Sequence, residues 1–148
     1  MLFFLLGHSS YYDSYVNDGS YSTTPLFIDV SKPFFEIKGK KWGIIGLGSI
    51  GRGVATIAIA FGAEVSYYST SGVNRDEEFQ RTTLDELLQT SDIITIHAPL
   101  NEKTDNLVDY GQLLTCKDGS IVLTLGRGGI INEDAVGKIV DEKNIYFG

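Results

Sequence analysis

Short apolar runs alternate with amphipathic segments along the chain after Lys41. The runs are almost continuous in apolar residues, which is typical of strands that are covered on both faces. They are Trp42–Ile45, Val65–Tyr68, Ile93–Ile96, Ile121–Leu125 and Ile145 onward. Because helical patterns separate them, the chain is predicted to fold as an α/β protein with a doubly wound parallel sheet and three layers, α/β/α.

Two of the connecting segments carry clear helix signals. The first is predicted over Ile50–Phe61, where Gly62 ends it. Its predicted apolar face comprises Ile50, Val54, Ile57, Ala58 and Phe61. The second is predicted over Thr83–Gln89, because Thr83-x-x-Glu86 forms a capping box. Its buried side is predicted to comprise Leu84, Leu87 and Leu88.

Two further helices are predicted in the second half of the chain. Asp109–Leu114 is the shorter one. Asn132 is the predicted cap of the other, since acidic residues follow it in the first turn, where the helix dipole favours them. The apolar face of that helix is predicted to comprise Val136, Ile139 and Val140.

The first forty residues differ in character from the rest. The apolar run Met1–Leu6 is too short, and lacks the basic flank, for a targeting signal. It is interpreted as the end of a buried helix that Gly7 closes. The segment Tyr11–Phe35 is aromatic and aperiodic, and glycine and proline interrupt it, so it is predicted to be a surface arm or connector. The chain is therefore divided into residues 1–40 and a domain of residues 41–148.

Composition narrows the possible functions. With 148 residues, of which 43% are hydrophobic, the chain is long enough for one domain with a core. A net charge of -7 without a basic cluster argues against a nucleic-acid partner, and no basic amphipathic face favours a membrane surface. The single Cys116 excludes an internal disulfide, offers no metal-ligand pattern and favours a reducing, cytoplasmic location.

The stretch "WGIIGLGSIGRG" places Gly46, Gly48 and Gly51 at the spacing G-x-G-x-x-G between a predicted strand and a predicted helix. Gly46 permits the tight turn, Gly48 lets a pyrophosphate approach the backbone, and Gly51 lets the helix pack closely. Amides at the start of the helix then bind the phosphate charge. We predict a Rossmann-like dinucleotide-binding loop; the alternative is a strand–turn–helix without a ligand.

The tip of the second predicted strand reads Tyr67-Tyr68-Ser69-Thr70-Ser71, without the acid expected there for the adenosine ribose. Glu64 stands at the opposite end of that strand. Ser69, Thr70 and Ser71 can donate hydrogen bonds to a 2′-phosphate, with added charge from Arg75, which favours NADP. Alternatively, Ser69 binds the ribose hydroxyls of NAD, so both cofactors stay open.

Two more segments make the chain resemble a known family: "SDIITIHAPLNEKTDNLV" and "DGSIVLTLGRGGIINEDAV". With the glycine loop they resemble the nucleotide-binding domain of the D-isomer-specific 2-hydroxyacid dehydrogenases. The resemblance implies hydride transfer between nicotinamide and a small 2-keto or 2-hydroxy acid. One substrate pair that it allows is glycerate and hydroxypyruvate. An NAD(H)-sensing module that acts like a corepressor is the alternative, and turnover of 2-keto acids separates the two.

The resemblance also implies roles for individual residues. The cofactor would be held by Gly46, Gly48, Ser49, Ile50, Gly51, Ser69, Thr70, His97, Ala98, Pro99, Thr104, Leu125 and Gly126. Arg127 would bind the substrate carboxylate and stabilise the developing oxyanion; otherwise it is a surface arginine in a glycine-rich turn. His97 lines the adenine side or only packs. The glutamate–histidine pair for acid–base chemistry is expected beyond Gly148.

The same resemblance implies a homodimer. The arm at Tyr11–Phe35 would then wrap a partner subunit, and the alternative is that it folds back on its own domain.

Overall fold

A computed structural model describes residues 1–73 and 78–148. It divides the chain into two compact units, Met1–Glu36 and Ile37–Gly148. The division lies slightly before the predicted boundary at residues 40 and 41.

The first unit contains three helices, α1 (Leu2–Leu6), α2 (Ser9–Asn17) and α3 (Ser20–Thr23). Helix α1 ends at Gly7 as predicted, but the prediction that it is buried is wrong, because Leu2 is its one buried residue. The segment predicted to be an arm or connector contains helical residues that its sequence did not indicate. No glycine or proline interrupts Ser9–Asn17, and α2 brings Tyr11 and Tyr15 one turn apart, with stacked rings 6.0 Å between centroids.

The second unit is built on a six-stranded sheet in the order β3-β2-β1-β4-β5-β6. All its neighbouring strands are parallel, which confirms the predicted Rossmann-like fold. The strands are β1 (Lys41–Ile45), β2 (Glu64–Tyr68), β3 (Gln80–Arg81), β4 (Ile93–Ile96), β5 (Ile121–Thr124) and β6 (Tyr146–Phe147). The short β3 has no apolar run that could have predicted it, and Leu125 lies beyond β5.

Within the described part of this unit, four helices accompany the sheet: α4 (Ser49–Ala60), α5 (Leu84–Thr90), α6 (Tyr110–Thr115) and α7 (Glu133–Glu142). Successive residues of β1 face different helices. A Cβ at Gly43 would lie 2.5 Å from the Leu87 side chain of α5, whereas the Ile44 side chain lies 3.4 Å from a Cβ placed at Gly51 of α4. Because neighbouring residues of a strand point to opposite faces, α4 and α5 cover opposite faces, and the layers are α/β/α.

The predicted caps are present, one of them in altered form. The Thr83 hydroxyl accepts a hydrogen bond from the Glu86 amide at 3.2 Å, but the Glu86 carboxylate accepts from the Thr82 hydroxyl, so the capping box is half formed. Asn132 accepts from the Ala135 amide at 3.2 Å. Of the predicted apolar side of α5, Leu87 and Leu88 are buried and Leu84 is half-buried.

The predicted apolar face of α4 is wrong for three of its five residues. Ile50, Ile57 and Phe61 are exposed, whereas Ala58 is buried as predicted and Val54 is half-buried. The other buried residues of α4 are Gly51 and Ala55. The helix lies so close to the strand layer that only small residues fit between them. On α7, Ile139 is buried as predicted, whereas Val140 is exposed.

Among the described residues, no helix combines the length and the apolar character needed to cross a membrane.

Candidate cofactor-binding site

A crevice of about 820 Å³ opens at the carboxyl ends of β1, β2 and β4. The chain leaves β1 toward β2 and later returns to β4 on the other side of β1. Open α/β sheets bind ligands at such a reversal of strand order. The structure brings seven predicted site residues together in the crevice wall: Gly46, Gly48, Ser69, Thr70, His97, Ala98 and Pro99.

The three motif glycines occupy different environments. Gly46 has a φ of 91°, and a Cβ there would lie 2.9 Å from the Ala98 amide nitrogen. A Cβ at Gly51 would lie 2.3 Å from the Gly46 carbonyl oxygen. At Gly48 a Cβ would meet nothing within 4 Å. Gly46 and Gly51 therefore permit close packing, whereas the missing side chain of Gly48 leaves open space in the crevice.

Helix α4 begins at this open space. Gly48 is its N-cap and provides no side-chain hydrogen bond, and the first turn contains no acidic residue. The amides of Ser49, Ile50 and Gly51 have no acceptor within the helix, since the first amides of any α-helix lack one. These donors and the positive end of the helix dipole suit a phosphate.

The tip of β2 forms a compact turn beside the crevice. Ser69 is 8% exposed, and its hydroxyl donates to the Val73 carbonyl at 2.9 Å. Arg81 donates to the Gly72 carbonyl at 3.1 Å, which adds a cation behind the turn. Thr70 is half-buried. Arg75, which we expected to add charge, lies outside the described residues.

His97 follows β4, where its amide donates to the Ile45 carbonyl at 2.8 Å. Its Nε2 atom is buried and has no hydrogen-bond partner within residues 1–73 and 78–148. Burial lowers the pKa of His97, so the ring is neutral near pH 7. His97 borders the crevice, but a neutral imidazole is a poor proton donor.

Thr104 does not line the crevice. It is fully buried, and its hydroxyl donates to the Pro99 carbonyl at 2.6 Å and accepts from the Asn101 amide at 2.8 Å. It thereby fixes the turn that follows Pro99, and direct contact with a cofactor stays a prediction. That turn places Asn101, Glu102 and Lys103 at the crevice wall. Sequence reasoning missed these three residues, and it also missed Leu47 and Val73, which line the crevice elsewhere.

Leu125, Gly126 and Arg127 follow β5, outside the crevice wall, and all three are exposed. A Cβ at Gly126 would lie 3.7 Å from the Ala98 carbonyl oxygen, so the loop after β5 adjoins the loop after β4. The role of Arg127 in binding the substrate stays a prediction.

The sequence matches the family described as "D-isomer specific 2-hydroxyacid dehydrogenase, NAD binding domain" over residues 1–147. Among curated relatives, it is 36% identical over 111 residues to a hydroxypyruvate reductase of Thermotoga maritima, which covers 75% of this chain and 36% of that protein. It is 36% identical over 110 residues to a glyoxylate reductase of Aeropyrum pernix, and this match covers 72% of this chain and 33% of that protein. The chain thus matches about a third of the length of these relatives.

Solved structures are similar as well. An acyclic imino acid reductase in complex with NADPH and D-Arg superposes with a TM-score of 0.87 and 29% identity, over 98% of this chain and 45% of that one. The NAD-dependent formate dehydrogenase of Staphylococcus aureus, in complex with NAD, superposes with a TM-score of 0.83 and 30% identity, over 97% of this chain and 43% of that one. With the family match over nearly its whole length, the chain belongs to the D-isomer specific 2-hydroxyacid dehydrogenases, as their NAD binding domain.

Proposed function

We propose that the whole protein transfers a hydride between a nicotinamide cofactor, NAD or NADP, and a small 2-keto or 2-hydroxy acid. This chain supplies the part that binds the cofactor. The observation that carries the proposal is the open space at Gly48, where a Cβ would meet nothing within 4 Å and α4 begins. The hydroxypyruvate or glyoxylate type of substrate is proposed from the names of the two reductases above.

The cofactor fits the residues that are present. The α4 amides would bind the pyrophosphate, Gly48 would leave room for it, and Ala98 and Pro99 would line the adenosine side. Ser69 donates to Val73, so it would accept a hydrogen bond from a ribose hydroxyl. When bound, the nicotinamide supplies the hydride acceptor or donor at its C4 atom.

Arg127 is proposed to bind the substrate. Its planar guanidinium matches a carboxylate with two parallel, charge-assisted hydrogen bonds. The same charge would stabilise negative charge on the carbonyl oxygen during reduction. His97 is not proposed as the acid, because its pKa is lowered by burial. The paired glutamate and histidine remain an expectation from the resemblance.

Titration of the purified chain with NADH and NADPH tests the proposal. Nucleotide fluorescence should show saturable binding of at least one of them, and failure of both to bind at millimolar concentration would contradict it. In the whole protein, Arg127→Ala should leave the Kd for the nucleotide within about twofold and lower kcat/KM for 2-keto acids by at least about a hundredfold. Arg127→Lys keeps the positive charge but not the two parallel N–H donors of the guanidinium. Its kcat/KM therefore measures how much of the loss depends on the geometry of those donors.

The alternative of an NAD(H)-sensing regulator has no observation in its favour, and turnover of 2-keto acids by the whole protein decides it. A homodimer belongs to the proposal through the exposed apolar side chains of Met1–Glu36, which include Phe27, Val30 and Phe34. A cytoplasmic location is part of the proposal too and rests on the single, buried and unpaired Cys116.

A further inference from the structure

The far wall of the crevice carries a lysine that the roles above do not use. Lys103 lines the same crevice as Thr70 and Ser71 and belongs to the turn after Pro99. That turn is held firmly, because the Lys103 amide donates to the Asn101 side chain at 2.9 Å and the buried Thr104 binds the Pro99 carbonyl. The backbone of Lys103 is thus fixed, whereas its exposed side chain is available to a ligand.

The opposite wall, formed by the β2 tip, is suited to an anion. No carboxylate stands between Tyr67 and Val73 in the sequence, so this stretch itself carries no negative charge. The Ser69 hydroxyl donates to the Val73 carbonyl and accepts from the Ser71 hydroxyl at 3.3 Å, which leaves Thr70 as the hydroxyl donor of the tip. Arg81, bound to the Gly72 carbonyl, places a further positive charge behind the turn.

We infer that Lys103, together with the hydroxyl of Thr70, binds a phosphate monoester on the adenosine ribose, so that the crevice prefers NADP(H) to NAD(H). The inference rests on the proposed function. The pyrophosphate has its own donors at the start of α4, and a cation on the far wall is therefore left for a second phosphate. Glu102, which also lines the crevice, acts against this preference by its charge.

Binding of NADPH and NADH to the wild-type chain and to Lys103→Ala tests the inference by isothermal titration calorimetry. The wild type should bind NADPH more tightly. The substitution should raise the Kd for NADPH about tenfold, the effect of losing one charge-assisted hydrogen bond, and leave the Kd for NADH within about twofold. Titration with 2′,5′-ADP and ADP should show the same contrast and removes the nicotinamide from the comparison.

Two variants control for charge in general. Lys138→Ala removes an exposed lysine of α7 that does not line the crevice, and it should change neither Kd. Glu102→Gln should tighten NADPH binding, by about twofold to threefold, without affecting NADH. Added salt should weaken wild-type binding of NADPH more than that of NADH.

The outcomes separate the inference from the proposed function. Equal losses for NADPH and NADH in Lys103→Ala would mean that Lys103 contacts a part common to both, and this would overturn the inference alone. Tighter wild-type binding of NADH would do the same. Binding of neither nucleotide would overturn the proposed function and the inference with it.

Discussion

Gly48 and Gly51 belong to one motif but have opposite physical roles. A Cβ at Gly51 would lie 2.3 Å from the Gly46 carbonyl oxygen, a backbone atom that cannot move aside, whereas a Cβ at Gly48 would enter open space. Gly51→Ala should therefore lower the free energy of unfolding by about 2 kcal/mol or more. Gly48→Val should change it by less than about 1 kcal/mol and raise the Kd for NADH or NADPH at least tenfold.

Thermal unfolding followed by circular dichroism, paired with nucleotide titration, measures both effects. Gly53→Ala is the matched control, because a Cβ at this glycine of the same helix would also meet nothing within 4 Å and Gly53 does not line the crevice. It should keep both stability and binding. A Gly48→Val variant that still binds nucleotide as tightly as the wild type would contradict the role assigned to Gly48.

At the scale of single residues, sequence reasoning succeeded where the backbone determines a residue's position. The glycine spacing and the strand ends predicted that Gly48, Ser69 and His97 would meet in one place, because parallel strands bring their carboxyl ends to the same edge. It could not show that the Ser69 hydroxyl is occupied by Val73. It missed Lys103 for a similar reason, since the direction of the turn after Pro99 depends on the buried Thr104.

At the scale of the elements, strand positions were predictable and the buried side of α4 was not. Strands β1 and β4 are mostly apolar and, apart from Lys41 at the start of β1, buried throughout, so their runs stand out in the sequence. In α4, apolar periodicity favoured Ile50 and Ile57, but the helix turns Gly51 and Ala55 toward the sheet. The apolar periodicity of a sequence reports only which side chains are hydrophobic. In α4, the short distance between helix and strand requires small side chains on the buried face, whatever their hydrophobicity.

The starts of three strands are joined through Asp92. Its carboxylate accepts hydrogen bonds from the Lys41 amide at 2.8 Å and from Lys117 Nζ at 2.9 Å. Its backbone bonds to Lys41 and Ile121. These contacts tie β1 and β5 to β4 at the edge opposite the crevice.

Asp92→Asn should therefore destabilise the protein in a pH-dependent way. Burial alone would raise the pKa of Asp92, but hydrogen bonds from Lys117 and Lys41 and the charges of Lys117 and Lys40 outweigh it and lower the pKa below 3.8. A lowered carboxyl pKa contributes stability that is present above the unfolded-state pKa and is lost as the pH falls through the folded-state pKa. The variant should lose about 1 kcal/mol at pH 7.

Urea unfolding at a series of pH values checks this prediction. The difference between the wild type and Asp92→Asn should be constant above the unfolded-state pKa and should shrink as the pH falls below it. Asp141→Asn, at an exposed position in the last turn of α7, should show no such loss. A wild-type advantage that persists undiminished in strong acid would mean that the charge of Asp92 contributes nothing.

At the scale of the whole molecule, the fold of residues 37–148 could be predicted and that of the first unit could not. Alternation of strand and helix determines a parallel sheet almost alone. The arm offers no such period, and its tyrosines are engaged within the unit: Tyr11 donates to Asp29 at 2.8 Å and lies 4.8 Å from Lys32 Nζ. The most exposed aromatic side chains of this unit are Phe27 and Phe34, rather than the tyrosines that drew attention in the sequence.

Phe27 and Phe34 provide the test of association. They are 86% and 70% exposed, and large apolar side chains exposed together typically mark an interaction surface. The wild-type chain should sediment as a dimer at micromolar concentration. The double variant Phe27→Ser, Phe34→Ser should raise the dissociation constant of the dimer at least tenfold, because each substitution removes apolar area from the contact.

The control variant Val140→Ser, which replaces a half-exposed valine of α7, should remain dimeric. Nucleotide affinity should be unchanged in both variants. A wild type that sediments only as a monomer, or a double variant that dimerises as tightly as the wild type, would show that the arm does not hold two copies together.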